Sequence, residues 1–320
     1  MEIINNPSQV EIKKAAQALM GGHLVAFPTE TVYGLGADAT NEKAVSRVYS
    51  VKGRPTDHPL IVHISSINQL EKWAVDIPEY AIKLAEEFWP GPITLILKRS
   101  EIAKDFITGG QDNVGVRVPS HQVALAVLRE FEKLGGLGVA APSANRFGKV
   151  SPTSSTDVQE DLGKYLEDTD QILDGGRSLV GIESTIINCL FESPAVLRPG
   201  SISTSQIDEL IEAEKSLASK LVSVNAPGLL FTHYSPRAKV FTEGVPNTGD
   251  GFLALSEVPT PNGAIRLESP ETIEQFAKVL YQSFRLADKK GMKRIFVSIP
   301  LGDDIAVAIR DRIQKAANSN

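Results

Sequence analysis

Along the first 200 positions, short solid apolar runs at 24–27, 60–64, 93–97 and 114–118 alternate with stretches where apolar residues recur every three or four positions. Runs of four or five flanked by glycine and proline read as mostly buried strands, and the three-to-four spacing reads as helices with one covered face. The first helix is marked at both ends. Ser8-Gln9-Val10-Glu11 is a capping-box pattern, Ile12, Ala15, Ala16, Leu19 and Met20 share a face, and Gly21-Gly22 stops it. The same spacing predicts helices near 41–51, 66–73, 78–88 (with Pro78 at the first helical position) and 120–134. Further strands are predicted near 138–141, 184–190 and 194–198. This alternation predicts an α/β domain over residues 1–205, built on a large twisted sheet.

Past Arg198-Pro199-Gly200, a helix is predicted around 205–217, and then periodicity fades. The stretch 216–236 holds Asn225-Ala226-Pro227-Gly228 and His233-Tyr234-Ser235-Pro236 and shows no regular spacing, so 206–237 reads as a helix end and linker. Beyond it, strands at 238–241, 251–255 and 294–299 and helices at 270–288 and 303–317 predict a small βαβα-like unit over 238–320.

Composition narrows the classes. With 320 residues, 42% hydrophobic and 22% charged, the chain can bury a substantial core in two domains. A single cysteine, Cys189, excludes an internal disulfide framework and a thiolate zinc site, and its apolar surroundings predict a buried, inert thiol. Neither an apolar run of about 20 residues nor a basic-then-apolar leader is present, so a cytoplasmic location without membrane contact is expected. The net charge of −6 arises in the first 205 residues, which argues against broad nucleic-acid coating and makes any basic site there a local concentration of cations.

Generic nucleotide signatures fail. Gly136-Leu137-Gly138-Val139-Ala140-Ala141 fits a loose G-x-G-x-x-A, but it follows a helix and leads into a strand and Pro142, the reverse of the required context. Gly148-Lys149 is followed by Val150 and has Ser143 where a P-loop needs glycine. Gly181-Ile182-Glu183-Ser184-Thr185 lacks the nucleophile-elbow spacing, and the five histidines show no metal-ligand spacing, so no side chain is assigned to a metal.

A divided polar set stands out instead. Lys52 and Arg54 in Lys52-Gly53-Arg54-Pro55, and Ser143 and Asn145 in Pro142-Ser143-Ala144-Asn145, sit in loops next to strand-like runs. Two cations and two hydrogen-bonding side chains suit a phosphorylated ligand. The run Phe27-Pro28-Thr29-Glu30-Thr31-Val32-Tyr33-Gly34-Leu35-Gly36 reads as a hydroxyl-rich loop after a strand, suited either to a ligand or to its own backbone. His63 lies at a strand end, where a core histidine is the commoner outcome. Arg117 alternates with Val116 and Val118, so it needs either a carboxylate ligand or a buried partner.

Together these residues resemble the threonylcarbamoyl-AMP synthase family, the Sua5/YrdC group that begins the t6A modification of tRNA. The resemblance runs through 27–36, 52–60, Phe88-Trp89-Pro90-Gly91-Pro92 with Thr94, 116–119, 141–145, 181–185 and Leu197-Arg198-Pro199-Gly200 in the family order. The Ala226-Pro227-Gly228 and His233-Tyr234-Ser235-Pro236 segments, with the C-terminal unit, resemble the longer two-domain Sua5 type. That implies a YrdC-like domain with a large mixed sheet, a linker, and a Rossmann-like C-terminal domain. It also implies a nucleotidyltransferase that makes L-threonylcarbamoyladenylate and pyrophosphate from L-threonine, bicarbonate and ATP, with Mg²⁺ or Mn²⁺.

By the same resemblance, Lys52, Arg54, Ser143 and Asn145 match the catalytic set around the phosphates and carbamate. Thr31, His63, Arg117, Ser143 and Ser184 match the threonine site. His58, Asn113, Ala141, Ser151, Arg198 and Tyr234, with Lys52, Arg54 and Ser143, match the ATP site. Tyr234 belongs to a linker implied to act as a lid over the adenylate. The implied partners are ATP, L-threonine, bicarbonate and the downstream t6A transfer machinery. Direct contact with tRNA stays open, as does a second reading in which the domain binds RNA without adenylation. A carbamoyl-phosphate-using relative is disfavoured by the lack of zinc-finger cysteines.

Overall fold

The computed structural model describes residues 3–211, 225–228 and 234–318. Helix α1 (Gln9–Met20) begins where its capping box requires: Ser8 Oγ accepts from the Glu11 amide and the Glu11 carboxylate accepts from the Ser8 amide. Helix α2 (Glu42–Lys52) is capped by Asn41 and ended by Gly53 in the left-handed region. These are followed by α3 (Leu70–Trp73), α4 (Glu79–Phe88), α5 (Asp105–Thr108), α6 (Gln122–Lys133), α7 (Ser155–Leu162) and α8 (Thr204–Leu210). Pro78 is the N-cap of α4, one position before the predicted first turn, because its extended backbone (ψ 147°) cannot belong to the helix.

The strands are β1 (Ile3–Asn5), β2 (Val25–Phe27), β3 (Gly34–Asp38), β4 (Ile61–His63), β5 (Ile93–Lys98), β6 (Asn113–Arg117), β7 (Val139–Ala140), β8 (Gln171–Asp174), β9 (Thr185–Asn188) and β10 (Ala195–Arg198). They form a ten-stranded mixed sheet in the order β1-β8-β2-β3-β7-β4-β6-β5-β9-β10. One apolar layer on it gathers Tyr33, Leu35, Val62, Trp73 and Leu95, and another gathers Ile12, Leu19, Phe27, Leu128 and Phe131. The run expected to be a loop through Gly36 instead closes into β3, which pairs antiparallel with β2. Its composition hides a strand: Gly36 is there because a Cβ would lie 2.6 Å from the Phe27 ring and 2.7 Å from Val139.

The second unit holds β11 (Lys239–Phe241), β12 (Gly251–Leu253), β13 (Ile265–Glu268) and β14 (Arg294–Val297) in a parallel sheet ordered β11-β14-β12-β13, with helices α9 (Ile273–Lys289) and α10 (Ile305–Ala317). Three strands precede α9, so the order is βββαβα rather than βαβα. The unpredicted strand, β13, is an edge strand whose alternating Ile-Arg-Leu-Glu is mostly part-exposed. The predicted helix near 205–217 is observed over Thr204–Leu210 with Ile211 as its C-cap, and residues 212–217 lie outside the described residues, as does most of the 206–237 linker, including His233.

The two units share a core. Val32, Val150 and Ile182 from the first pack in one apolar cluster with Tyr234, Phe276, Leu280, Tyr281 and Phe284. At Gly181 (φ +84°) the backbones come so close that a Cβ would lie 2.5 Å from Lys278 Cα. The second unit therefore docks on the loop that carries Glu183 and Ser184. Among the described residues no helix is long and apolar enough to cross a membrane.

Candidate active site

Strand pairing brings the polar side chains together. The parallel register of β4 and β6 sets His63 beside Arg117 at the ends of both strands, and β7 runs out next to them into Ala141, Pro142 and Ser143. The β2–β3 turn supplies Thr29, Thr31, Val32, Tyr33 and Gly34. The stretch before β9 supplies Glu183 and Ser184, and β10 ends on Arg198. With Arg54, Ile61, Pro227, Gly228 and Tyr234, these residues enclose a cavity of about 60 Å³.

Arg117 has a buried partner in Glu30. Its Nη2 donates to Glu30 Oε1 at 2.6 Å and its Nε to the Gly91 carbonyl at 3.3 Å, while Glu30 Oε2 accepts from the Ser120 amide at 3.1 Å. Both side chains are about 5% exposed, so this pair sits in a low-dielectric wall. A fixed planar guanidinium in that position suits a carboxylate.

Thr29 Oγ1 donates to the Val32 carbonyl at 2.6 Å, so the single hydrogen in its 2.8 Å contact with Thr31 comes from Thr31. Thr31 Oγ1 is thereby left to offer lone pairs to the cavity. Ser184 Oγ shares a hydrogen with Thr94 Oγ1 at 2.8 Å and accepts from Arg198 Nη2 at 3.1 Å. His63 Nδ1 is buried without a hydrogen-bond partner, and burial, then the charge of Arg117, hold the imidazole at about 3, so it is neutral at physiological pH.

The cavity is cationic. Arg54 donates to the carbonyls of His58 (3.4 Å) and Pro59 (3.0 Å), and burial lowers it to about 10. Arg198 donates to the Ser184 carbonyl from Nε (3.0 Å) and Nη2 (2.8 Å), and from Nη1 to the Pro227 carbonyl (2.8 Å). Burial would raise the carboxyl of Glu183, but Arg312, Arg198 and a hydrogen bond from Ser151 hold it at about 2.

Of the residues singled out in the sequence, Thr31, Arg54, His63, Arg117, Ala141, Ser143, Ser184, Arg198 and Tyr234 meet on this cavity. Lys52, Asn145 and Ser151 stand behind its wall. Lys52 Nζ donates to the carbonyls of Ser143 and Asn145, Asn145 Nδ2 donates to those of Arg146 and Lys149, and Ser151 Oγ donates to Glu183. His58 packs edge-on against Phe147, and Asn113 opens β6 opposite Lys98; neither lines the cavity. Glu30 and Glu183 carried no role in the sequence reading, although Arg117 signalled the need for an anion. Nothing near Arg312, Tyr281 or Lys315 in the sequence marks them as neighbours of this site.

Comparison with known proteins places this geometry. The family described as "Telomere recombination" matches residues 17–200, and the "Threonylcarbamoyl-AMP synthase, C-terminal domain" family matches residues 202–318. A threonylcarbamoyl-AMP synthase of Pyrococcus abyssi is 39% identical, over 98% of this chain and 97% of the relative. The chain belongs to the threonylcarbamoyl-AMP synthase family. A Bacillus subtilis member is 38% identical over 96% of this chain and 93% of its own length. The crystal structure of P. abyssi Sua5 complexed with L-threonine superposes with a TM-score of 0.88, at 37% identity, over 99% of this chain and 98% of that one. Both the large mixed sheet and the small parallel sheet are thus those of the two-domain members of the family.

Proposed function

We propose that the chain is a nucleotidyltransferase that condenses L-threonine, bicarbonate and ATP into L-threonylcarbamoyladenylate and pyrophosphate, supplying the t6A modification of tRNA. The observation that carries this reading is a single cavity joining a carboxylate-type site (Arg117 with Glu30), hydroxyl readers (Thr31, Ser184) and two further buried arginines (Arg54, Arg198). Arg117 would pair with the threonine carboxylate. Thr31, as an acceptor, would take the hydrogen of the threonine hydroxyl, and His63 Nδ1 would gain a polar neighbour from the ligand.

In this reading the neutral threonine amine adds to CO₂ with release of a proton, or to bicarbonate with loss of water, to give a carbamate, whose oxygen attacks the α-phosphorus of ATP. A carbamate O–Pα bond forms, the bond from Pα to the bridging oxygen breaks, and pyrophosphate leaves with its electrons. The residues contribute positioning and fixed charge: Arg54 and Arg198 would face oxygens whose charge grows as the bond breaks, and Lys52 keeps the Ser143–Asn145 stretch in place. Among the described residues no group of three or more His, Cys, Asp or Glu is placed to hold a metal. A Mg²⁺ or Mn²⁺ ion would arrive ligated by the triphosphate and would neutralise phosphate charge. ATP as substrate and the single unpaired, buried Cys189 both suit the cytoplasm.

The cavity of about 60 Å³ is smaller than the roughly 300–1,000 Å³ of ligand sites, and in this reading Pro227, Gly228 and Tyr234, which line it, would shift as ATP enters. The test is pyrophosphate release from ATP with Mg²⁺ and bicarbonate, comparing L-threonine with L-serine, L-valine and no amino acid. Release that needs both threonine and bicarbonate is the expected result. Release indifferent to threonine would overturn the reading.

A further inference from the structure

Several groups that close the cavity are held by the helices of the C-terminal unit rather than by the ten-stranded sheet. Arg312 on α10 is fully buried, 129 residues from the Glu183 to which its Nε donates at 2.8 Å. Its Nη2 donates to the Pro199 carbonyl at 3.1 Å, and its guanidinium lies 5.1 Å from the centre of the Tyr234 ring. Tyr281 on α9 donates to the Glu183 carboxylate at 2.9 Å and stacks on Tyr234 with 5.7 Å between ring centres. One turn after Asp311, with which it pairs at 2.8 Å, Lys315 donates from Nζ to the Gly228 carbonyl at 2.8 Å.

Two chains of contact therefore converge on Arg198. One runs from Arg312 through Glu183 to the adjoining Ser184, whose carbonyl and hydroxyl accept from Arg198. The other runs from Lys315 through Gly228 to Pro227, whose carbonyl accepts from Arg198 Nη1. A buried ion pair adds little net stability compared with an apolar pair of similar volume, but removing one partner strands a charge. Glu183 and Arg312 thus have a geometric consequence that packing alone would not give: they fix where the wall of the cavity stands.

We propose that Arg312 and Lys315 are positioning residues for the reaction. Arg312 sets Ser184 and Arg198 through Glu183, and Lys315 clips the Pro227-Gly228 strap against Arg198. The C-terminal domain is then a structural part of the site. This rests on the synthase activity proposed above.

The test uses the full chain and begins with the wild type. If it shows no threonine-dependent pyrophosphate release, the functional reading falls and takes this proposal with it. In an active protein, Arg312→Met, Arg312→Lys, Glu183→Gln, Lys315→Met and the double variant Glu183→Gln/Arg312→Met are compared for kcat, KM and the ratio of pyrophosphate released to adenylate recovered, with melting curves to confirm folding. Arg312→Met is expected to lower kcat/KM for threonine by about tenfold or more, the size of one lost charge-assisted contact. It is also expected to add an acidic limb to the pH profile, because Glu183 then keeps Arg198 as its charged neighbour, with the hydroxyls of Ser151 and Tyr281 as donors and Tyr234 beside them. Arg312→Lys should recover part of the loss, and the double variant should remove the limb and exceed Arg312→Met alone. Lys315→Met should raise the KM for ATP and the pyrophosphate-to-adenylate ratio. It also carries the test if Arg312→Met does not fold. Wild-type constants and product yield in Lys315→Met, or a folded Arg312→Met with an unchanged threonine KM and pH profile, would overturn the proposal, as would a double variant no better than the single.

Discussion

Lys52 and Asn145 are tied directly: the Lys52 ammonium, at the last position of α2, donates to the Asn145 carbonyl at 2.5 Å, and it donates equally to that of Ser143. A lysine expected beside phosphate thus acts first on protein backbone. Burial, then the neighbouring charge of Arg54, pushes its ionisation well below the ordinary lysine range, while the two carbonyls oppose that loss of charge. Lys52→Met should leave two acceptors without a donor, at about 1–3 kcal/mol each. The expected outcome is a matching loss of stability in urea unfolding together with a lower kcat. Unchanged stability would show that the carbonyls find other donors.

Arg117 is the residue on which threonine affinity should turn. Its Nε and Nη2 are committed to Gly91 and Glu30, so the guanidinium is fixed before ligand arrives. Arg117→Lys keeps a charge near Glu30 but loses the planar fork. The threonine KM should rise about 10- to 100-fold, a loss of about 1.5–3 kcal/mol for a hydrogen bond to a charged group, with the ATP KM little changed. Equal rises in both would place Arg117 in general wall support instead.

How much of this could be read from the sequence depended on whether the signal was local. The capping box at Ser8 and the solid apolar runs that became β4, β5 and β6 are determined by near neighbours, and they emerged within a residue or two of their expected places. β3 escaped because Gly34-Leu35-Gly36 lacks side chains on alternate positions, for the sake of close contact with Phe27 and Val139. Arg117 announced a need for an anion, yet nothing local pointed to Glu30, 87 residues away. The polar residues drawn into the cavity were visible as motifs, but Arg312 looks like any helical arginine, and only the docking of α10 shows what it faces.

His63 makes a prediction about pH. Its imidazole is held at about 3 in the folded chain, against about 6.5 when unfolded. Between those values the unfolded state binds the proton and the folded state does not, so the stability this group contributes is present above about pH 6.5 and is lost as pH falls toward 3. His58 and His121 are also lowered by burial, while Glu183, held near 2, loses its contribution only as pH falls from the ordinary glutamate value of about 4.3 toward 2, below the window measured. The difference between wild type and His63→Gln isolates the term. From pH 7 to 5, the wild type should lose about 2 kcal/mol more than the variant in urea unfolding. Parallel losses would mean that His63 is not held neutral.

Gly228 gives the sharpest separation of activity from stability. It has φ +80°, and a Cβ there would lie 2.2 Å from the Tyr234 hydroxyl and 3.1 Å from Arg198 Nη1. Tyr234 also has positive φ (62°), uncommon for a bulky residue, so the strap is held in place by its contacts rather than by its own preference. Gly228→Ala must displace the tyrosine, the arginine or the strap itself. Gly228 itself pairs with no strand of the ten-stranded sheet, although Ala226 beside it packs on Ile61, Ile96 and Ile186, so the melting temperature should change less than the activity. A displacement on the order of 1 Å at the site should cost about 10²-fold in kcat/KM, measured as threonine-dependent pyrophosphate release. Full activity in Gly228→Ala would mean that Tyr234 and Arg198 need not hold these positions during turnover.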